Sequence, residues 1–208
     1  MSRVEQILSA LDQMFPDANV ELLHHNHFEL LVAVVLSAQT TDVSVNKITP
    51  LLFQKYPTPK DMSQAELKDL EELIMSIGLY RNKAKNLKTL ALELYSKYNN
   101  QVPNTREALE SLPGVGRKTA NVVLSNAFGI PAFAVDTHVS RVSARLGLAK
   151  ESDNVLAIEK KLMSQIPIEK WQKVHHQLIF FGRYHCLARN PKCSQCLLFD
   201  LCVYQNKN

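Results

Sequence analysis

The chain has 208 residues, which is long enough for one large domain or two small ones with a sizeable core. Hydrophobic residues make up 46% and charged residues 21%, values that exclude intrinsic disorder as the main state. No apolar run approaches the roughly 20 residues of a membrane-spanning helix. The N-terminus also lacks the apolar block of a signal peptide, so we expect a cytoplasmic protein.

The net charge of +4 is unevenly distributed along the chain. Residues 1–112 carry 11 basic and 14 acidic groups, whereas residues 113–208 carry 13 basic and 6 acidic groups. A basic half on a nearly neutral chain favours a polyanionic partner such as nucleic acid. Charge scattered over a solvated surface is the alternative.

Apolar residues recur at helical spacing along almost the whole chain, and the first of only six glycines is Gly78. Because turns that need a positive φ are scarce, helices are favoured over a sheet. In the first half, the pattern predicts a helix that ends before Pro16, a buried helix over Phe28–Ala38, and a helix capped at Thr41 that Pro50 kinks or breaks. It then predicts a helix that starts with a capping box of Ser63 and Glu66, a long helix over Arg81–Tyr98, and a short helix capped by Thr105.

The second half predicts a turn over Pro113–Gly116 and a helix over Arg117–Phe128. Further helices are expected to start at Asp136 or Thr137, at Ser152 or Asp153, and at Trp171, the last running to His185. No alternating run of β-branched residues indicates a strand. The sequence therefore predicts an all-α fold of roughly ten helices.

All four cysteines lie in the last 23 residues with the spacing C-x6-C-x2-C-x5-C; they are Cys186, Cys193, Cys196 and Cys202. Nothing marks the protein as secreted, which disfavours disulfides. Four thiolates on one short segment suit a tetrahedral zinc ion or an iron–sulfur cluster. Structural zinc usually shows two close-spaced pairs, so the single C-x2-C favours a cluster and leaves zinc as the alternative.

The segment LPGVGRKTANVV, residues 112–123, predicts two helices joined by a Pro-Gly-x-Gly hairpin. Gly114 and Gly116 allow a tight turn and bring backbone N–H groups close to a ligand. Those groups lie at the positive end of the second helix, where they can bind a DNA phosphate without reading base sequence. An ordinary helical corner is the alternative.

Two residues near the hairpin could carry chemistry. Lys118 lies in the first turn of the second helix, where the helix dipole and Arg117 favour the uncharged amine, a nucleophile able to form a Schiff base. Asp136 follows an apolar stretch at a helix start, and its carboxylate could exchange protons and stabilise a cationic intermediate. A solvated lysine and an N-capping aspartate are the alternatives.

The hairpin, the run VDTHVSR at residues 135–141 and the cysteine pattern together resemble the signature of endonuclease III, a base-excision repair family of the helix-hairpin-helix superfamily. LSAQTTDVSVNK at residues 36–47 and GLYRNKAKN at residues 78–86 extend the resemblance over nearly the whole chain. It implies two helical domains with a DNA cleft between them. One is a six-helix barrel over about residues 20–131, with the helix-hairpin-helix at about 105–128. The other joins residues 1–19 to residues 132–208 and holds a 4Fe–4S cluster on the four cysteines.

The resemblance also implies a bifunctional DNA glycosylase and AP lyase. Such an enzyme removes oxidised or ring-saturated pyrimidines from double-stranded DNA and nicks abasic sites by β-elimination. Lys118 would attack C1′ of a nucleotide flipped out of the duplex. Asp136 would activate the lysine and stabilise positive charge on the sugar.

The resemblance implies DNA-binding roles for two residues at loop tips: Gln39 would fill the gap left by the flipped base, and Leu79 would wedge into the opposite strand. It implies contacts with the DNA backbone for the hairpin residues Gly114, Val115 and Gly116. The remaining phosphate contacts would come from His138, Arg189 and Lys192. Core packing is the alternative for Leu79, and a helix-end cap is the alternative for Gln39. Asn190 stands where relatives often carry a basic residue, which weakens that loop as a phosphate contact.

Two other functions compete with this interpretation. Adenine or mismatch glycosylases of the same fold share the hairpin and the cysteines, but they usually lack a lysine at the position of Lys118. A non-catalytic DNA-binding or redox-sensing iron–sulfur protein would need neither Lys118 nor Asp136. We expect a monomer, without membrane contact, that associates with the nucleoid through DNA.

Overall fold

The computed structural model describes residues 1–206, and that part of the chain is all-helical, without a strand. The all-α prediction is therefore confirmed. The chain forms two compact units: a continuous unit, Glu21–Ile130, and a discontinuous unit that joins Met1–Val20 to the chain from Pro131 onward. Among the described residues no helix is both long enough and apolar enough to cross a membrane.

The continuous unit contains seven α-helices among its described residues: α2 (His27–Leu36), α3 (Asp42–Lys55), α4 (Pro59–Ser63), α5 (Leu67–Ile74), α6 (Tyr80–Lys97), α7 (Arg106–Glu110) and α8 (Arg117–Phe128). The central helix is α2, in which every residue from Phe28 to Leu36 is buried. It packs against α3, α6 and α8, while α4 and α5 pack on α6. A helix that is apolar all round is expected to lie in the middle of such a core.

The discontinuous unit contains α1 (Arg3–Met14), α9 (Thr137–Arg145), α10 (Val155–Gln165) and α11 (Trp171–Phe180). Its core is apolar and draws on all four helices; it includes Ile7, Leu11, Val139, Val142, Leu162 and Leu178. α11 packs between α1 and α9. It continues into a π-helical turn, Phe181–His185, which leads directly to the first cysteine.

Most helix starts follow from a side-chain cap that the sequence supplies. Thr41, Thr105 and Asp136 each accept a hydrogen bond from a backbone N–H in the first turn of their helix, as expected. At the C-terminal end of α8, Gly129 adopts the left-handed conformation that glycine tolerates best.

Two helix starts differ from the sequence prediction, and a third has a cap that was not predicted. The capping box of Ser63 and Glu66 does not form, because Ser63 ends α4 and its hydroxyl donates to the carbonyl of Lys60 instead. A capping box does form between Ser2 and Glu5, at the start of α1. α10 is capped by Asn154 rather than by Ser152 or Asp153, since Asp153 accepts from Lys161 and from the backbone of Lys150.

Two helix interiors also differ. α3 continues through Pro50 to Lys55, so the proline does not break the helix even though it removes one backbone donor. The predicted helix from Trp171 to His185 is α-helical only as far as Phe180, and its last five residues form the π-helical turn. Such turns are frequent next to functional sites.

Candidate nucleic-acid interface and iron–sulfur centre

The hairpin between α7 and α8 is built around two glycines that serve different purposes. Gly114 has φ +79°, and a Cβ there would lie 3.1 Å from the Asn86 side-chain nitrogen. Gly116 has the ordinary extended values φ −100° and ψ 179°, and a Cβ added there would meet no atom within 4 Å. The chain itself therefore requires a glycine at position 114 but leaves open space at position 116.

Gly116 is also the N-cap of α8, and no side chain caps this helix end. The first N–H groups of a helix have no intrahelical acceptor, and they lie at the positive end of the dipole. Val115 is buried, and its N–H donates to the carbonyl of Leu112, which holds the turn closed. The open space at Gly116 thus adjoins a set of donors suited to a phosphate.

Lys118 lies one residue inside α8 and is half-buried. Its backbone directly follows the hairpin turn, so a ligand held at the helix start would lie near the first-turn side chains. An amine in that position can act as a nucleophile towards an electrophilic carbon when it is uncharged.

Gln39 and Leu79 occupy two exposed turns of the continuous unit, and both have left-handed backbone conformations. Their φ values are +54° and +59°, and Leu79 is 58% exposed. Neither residue type favours this conformation, which costs roughly 1–2 kcal/mol for a residue with a Cβ. Leu79 is therefore not a core residue, and the cap of α2 is Ser37 rather than Gln39.

Asp136 belongs to the discontinuous unit, where it caps α9. Its Oδ1 accepts a hydrogen bond of 2.8 Å from the N–H of Val139, and the side chain is half-buried. The N-cap interpretation is thus correct for one carboxylate oxygen, and Oδ2 takes no part in the cap. His138 follows in the first turn, with its ring Nδ1 3.3 Å from the Arg141 guanidinium.

The four cysteines line one cavity in the discontinuous unit. All four are free thiols, and only Cys186 is fully buried. Burial, followed by the charges of the other three sulfurs, raises the pKa of the Cys196 thiol. Four thiolates crowded in this way need positive charge among them, which iron supplies.

The surroundings of the cavity also suit a bound cluster. The Arg145 guanidinium lies 3.3 Å from the Cys186 sulfur and donates to the carbonyl of Leu187 at 2.8 Å. The Cys202 thiol donates to the carbonyl of Arg145, at 3.3 Å. Among the described residues, no three His, Cys, Asp or Glu side chains are grouped to hold a single metal ion. A cluster does not require such a grouping, because each thiolate binds its own iron atom.

The loop between the first two cysteines presents positive charge. Arg189 and Lys192 are both exposed on it. Asn190 between them has φ +52°, a left-handed value that asparagine adopts more readily than lysine or arginine. The backbone conformation therefore accounts for a neutral residue at this position.

Sequence reasoning missed two residues that the structure places close to these features. Arg145 contacts the cysteine loop, and its only signal was its place four residues after Arg141 on the same helix. Lys83 is buried in the continuous unit. Its signal was clearer, because Lys83, Leu87, Leu90 and Leu94 follow one buried face of α6.

Comparison with known proteins agrees with these features. Residues 32–167 match the HhH-GPD superfamily of base excision DNA repair proteins, and residues 186–202 match the iron–sulfur binding domain of endonuclease III. Endonuclease III of Bacillus subtilis (strain 168) is 54% identical over 202 residues, which cover 97% of this chain and 92% of that protein.

Two solved structures share the fold at different levels of identity. A trapped endonuclease III–DNA covalent intermediate in an estranged-adenine complex matches with a TM-score of 0.94 and 56% identity, over 98% of this chain and 96% of the other. A thermostable thymine-DNA glycosylase matches with a TM-score of 0.90 and 28% identity, over 99% and 98%.

The hairpin and the cysteine centre thus define a base-excision repair DNA glycosylase that binds DNA. Within that class the chain belongs to the endonuclease III family. The protein carries a 4Fe–4S cluster, as the sequence favoured over zinc, and the matched iron–sulfur domain at residues 186–202 includes the four cysteines that would hold it. Arg145 ties the cysteine segment to α9 through its hydrogen bond to the Leu187 carbonyl.

Proposed function

We propose that the protein is a bifunctional glycosylase and AP lyase that removes oxidised or ring-saturated pyrimidines from double-stranded DNA and nicks the resulting abasic sites. The observation that carries this proposal is the half-buried Lys118 in the first turn of α8, directly after the uncapped helix start at Gly116. A phosphate held by the hairpin N–H groups would bring the sugar of a flipped nucleotide near an amine that can attack it.

In the proposed reaction, the uncharged Nζ of Lys118 attacks C1′ and forms a C–N bond while the glycosidic bond breaks and the base leaves with its electron pair and a proton. The sugar ring then opens to a protonated Schiff base. Loss of a proton from C2′ expels the 3′ phosphate, which nicks the strand by β-elimination. Hydrolysis of the remaining imine releases the lysine.

Asp136 assists this chemistry through its carboxylate. We propose that it accepts a proton from the Lys118 ammonium, which frees the amine to attack, and that it stabilises positive charge on the sugar in the transition state. Its N-cap bond to Val139 fixes the orientation of the carboxylate, which lowers the cost of reorganisation during the reaction.

Gln39 and Leu79 act on the duplex rather than on the sugar. We propose that Gln39 fills the gap left by the flipped base and that Leu79 inserts into the opposite strand. Their exposure and their left-handed backbone support this proposal, since strained exposed residues are typical of ligand-contacting turns. His138, Arg189 and Lys192 would add contacts to the phosphates.

Relatives support the covalent step. A protein 56% identical to this one has been captured as a covalent intermediate with DNA. The similar structure of a thymine-DNA glycosylase, whose name refers to base removal alone, leaves a glycosylase that does not cut the strand as the second candidate. We expect this protein to act as a cytoplasmic monomer associated with the nucleoid.

Borohydride trapping tests the proposal. Incubation with a duplex that contains a single oxidised pyrimidine should give a protein–DNA adduct, because borohydride reduces the Schiff base to a stable amine. Lys118→Gln should abolish both the adduct and strand cleavage, while DNA binding survives because the phosphate contacts come from main-chain N–H groups. Lys85→Gln, an exposed lysine on α6, is the matched control and should behave as wild type.

Base release without any adduct would favour the monofunctional glycosylase. Loss of DNA binding together with cleavage in Lys118→Gln would contradict the role assigned to the lysine.

A further inference from the structure

Lys83 is a charged residue buried in the continuous unit, only 5% exposed. Its Nζ donates to the backbone carbonyl of Leu36 at 2.9 Å and to the Thr40 hydroxyl at 2.7 Å. Burial lowers the pKa of this amine, because removal from water disfavours its charged form. A buried lysine of this kind calls for an explanation, because burying an ammonium group is costly even when hydrogen bonds offset part of the penalty.

The two acceptors of Lys83 flank Gln39 in the chain. Leu36 is the last residue of α2, and Thr40 immediately follows Gln39. A cation at the C-terminal end of a helix is favourably placed, since the last carbonyls carry partial negative charge. The lysine thus closes the end of α2 and fixes the short turn from which Gln39 projects.

Lys83 is also joined to the second exposed turn. Its backbone N–H donates to the carbonyl of Leu79 at 3.0 Å, the first hydrogen bond of α6. One residue therefore holds the Leu79 turn through its main chain and the Gln39 turn through its side chain. Both turns have left-handed residues at their tips, so each would gain by relaxing if it were released.

We infer that Lys83 is a positioning residue that holds the Gln39 and Leu79 turns at a fixed separation, so that both side chains enter the duplex together when a nucleotide is flipped. The inference rests on the roles proposed above for Gln39 and Leu79. Lys83 contacts neither the sugar nor the base in this account. Its effect is confined to steps that need an opened duplex.

The experiment compares two substrates that differ only in whether the duplex must be opened. One is an abasic site in double-stranded DNA, and the other is the same abasic site in a single strand, where no base needs to be flipped and no gap filled. Lys83→Met keeps the length and apolar stem of the side chain but removes its donors. Lys85→Met, exposed on the same helix, is the matched control.

Lys83→Met should cleave the double-stranded substrate roughly tenfold more slowly in single turnover, the effect of losing one to two buried hydrogen bonds, and should cleave the single strand at the wild-type rate. A 2-aminopurine placed beside the site should also brighten more slowly, because it reports unstacking. Thr40→Val removes one acceptor and leaves the lysine in place, so it should show a smaller loss in the same direction even if Lys83→Met folds poorly.

An equal loss on both substrates would overturn the inference, because it would indicate a general structural role. If Lys83→Met cleaves duplex DNA at the wild-type rate while Gln39→Ala and Leu79→Ala cleave it slowly, the inference about Lys83 is wrong, but the roles proposed for the two turns stand. Wild-type duplex rates in Gln39→Ala and Leu79→Ala would overturn the proposed roles of the two turns, and the inference with them.

Discussion

Leu79 combines a strained backbone with an exposed apolar side chain. Its φ of +59° disfavours any side chain with a Cβ, and its side chain is mostly exposed, so it recovers little energy from packing. Natural selection for stability alone would place glycine here. A leucine at this position therefore indicates that the side chain is used outside the folded core.

Leu79→Gly should consequently stabilise the folded protein and slow its action on duplex DNA. We expect the free energy of unfolding to rise by about 1 kcal/mol, the relief of a left-handed Cβ, and excision from duplex DNA to slow. Urea unfolding and single-turnover excision on the same preparation measure the two effects. Asn99→Gly, at another exposed left-handed residue, is the control and should leave excision unchanged. A more stable Leu79→Gly variant with normal excision would contradict insertion of Leu79 into DNA.

Functional residues were predictable from the sequence where a motif carries them, but the unusual conformation or burial of single residues was not. The cysteine spacing and the hairpin glycines pointed to the cluster and to the turn. The left-handed backbone of Gln39 and Leu79 had no such signal, because left-handed residues are usually glycine or asparagine. The burial of Lys83 was hidden by its charge, although its position on the apolar face of α6 was visible.

Helices were predictable because their apolar periodicity and their caps agree. The body of α8 was expected over Arg117–Phe128 and forms over those residues. Boundaries were less predictable where capping residues compete. Ser63 could have opened a helix, but Pro59 and the Thr58 cap already start one four residues earlier, and Ser63 falls at its end. The switch to π-helical geometry at Phe181 depends on packing against α9, where a Cβ on Gly182 would lie 2.9 Å from that of His138.

The hairpin permits a prediction in which stability and DNA binding separate. Gly116→Ser adds a side chain where the protein has open space, and serine is a better N-cap than glycine, so stability should be unchanged or slightly raised. Binding should weaken, because the new side chain occupies the approach of the phosphate, and the loss should be the same for every DNA sequence.

Gly114→Ala, in contrast, should destabilise the folded protein. Its φ of +79° and its contact with Asn86 predict a loss of about 1–2 kcal/mol in the free energy of unfolding. Fluorescence anisotropy on several duplexes, together with urea unfolding, checks both variants. Sequence-selective weakening in Gly116→Ser, or unchanged binding, would argue against a main-chain phosphate site.

At the scale of the whole molecule, the charge asymmetry of the sequence does not coincide with the two units, since the basic half starts at residue 113 and the discontinuous unit resumes at Pro131. The basic half begins at the hairpin and continues through the part of the chain that holds the cluster. What the composition could not indicate is that the first 20 residues belong with the last part of the chain. That association depends on apolar contacts of α1 with α11, which no local pattern records.

A small polar network accompanies those apolar contacts between α1 and α11. Asp12 lies 2.6 Å from the Lys173 ammonium and accepts a hydrogen bond from the Gln177 amide at 2.8 Å. The same amide donates to the carbonyl of Phe15. The Lys173 hydrogen bond, followed by that of Gln177, lowers the pKa of the Asp12 carboxyl below its usual 3.8.

The sign of this shift fixes its pH dependence. A carboxyl whose folded pKa is lowered stabilises the folded state at pH values above the unfolded pKa of 3.8, and that contribution is lost as the pH falls through the folded pKa. Asp12 and Lys173 are both about half exposed, so solvent screening limits the pair to about 0.5–1 kcal/mol. Asp12→Asn should therefore lower the free energy of unfolding by that amount near neutral pH.

The deficit of Asp12→Asn should shrink as the pH falls below 3.8, because wild type then loses the same ion pair. Urea unfolding of both proteins across this range measures the difference directly and cancels effects common to the two, including any loss of the cluster. Asp17→Asn, which removes an exposed carboxylate from the same N-terminal segment, serves as the control. A deficit that stays constant down to the lowest pH would mean that the Asp12 contact with α11 acts through shape and neutral hydrogen bonding, and that charge contributes nothing to holding the two ends of the chain in one unit.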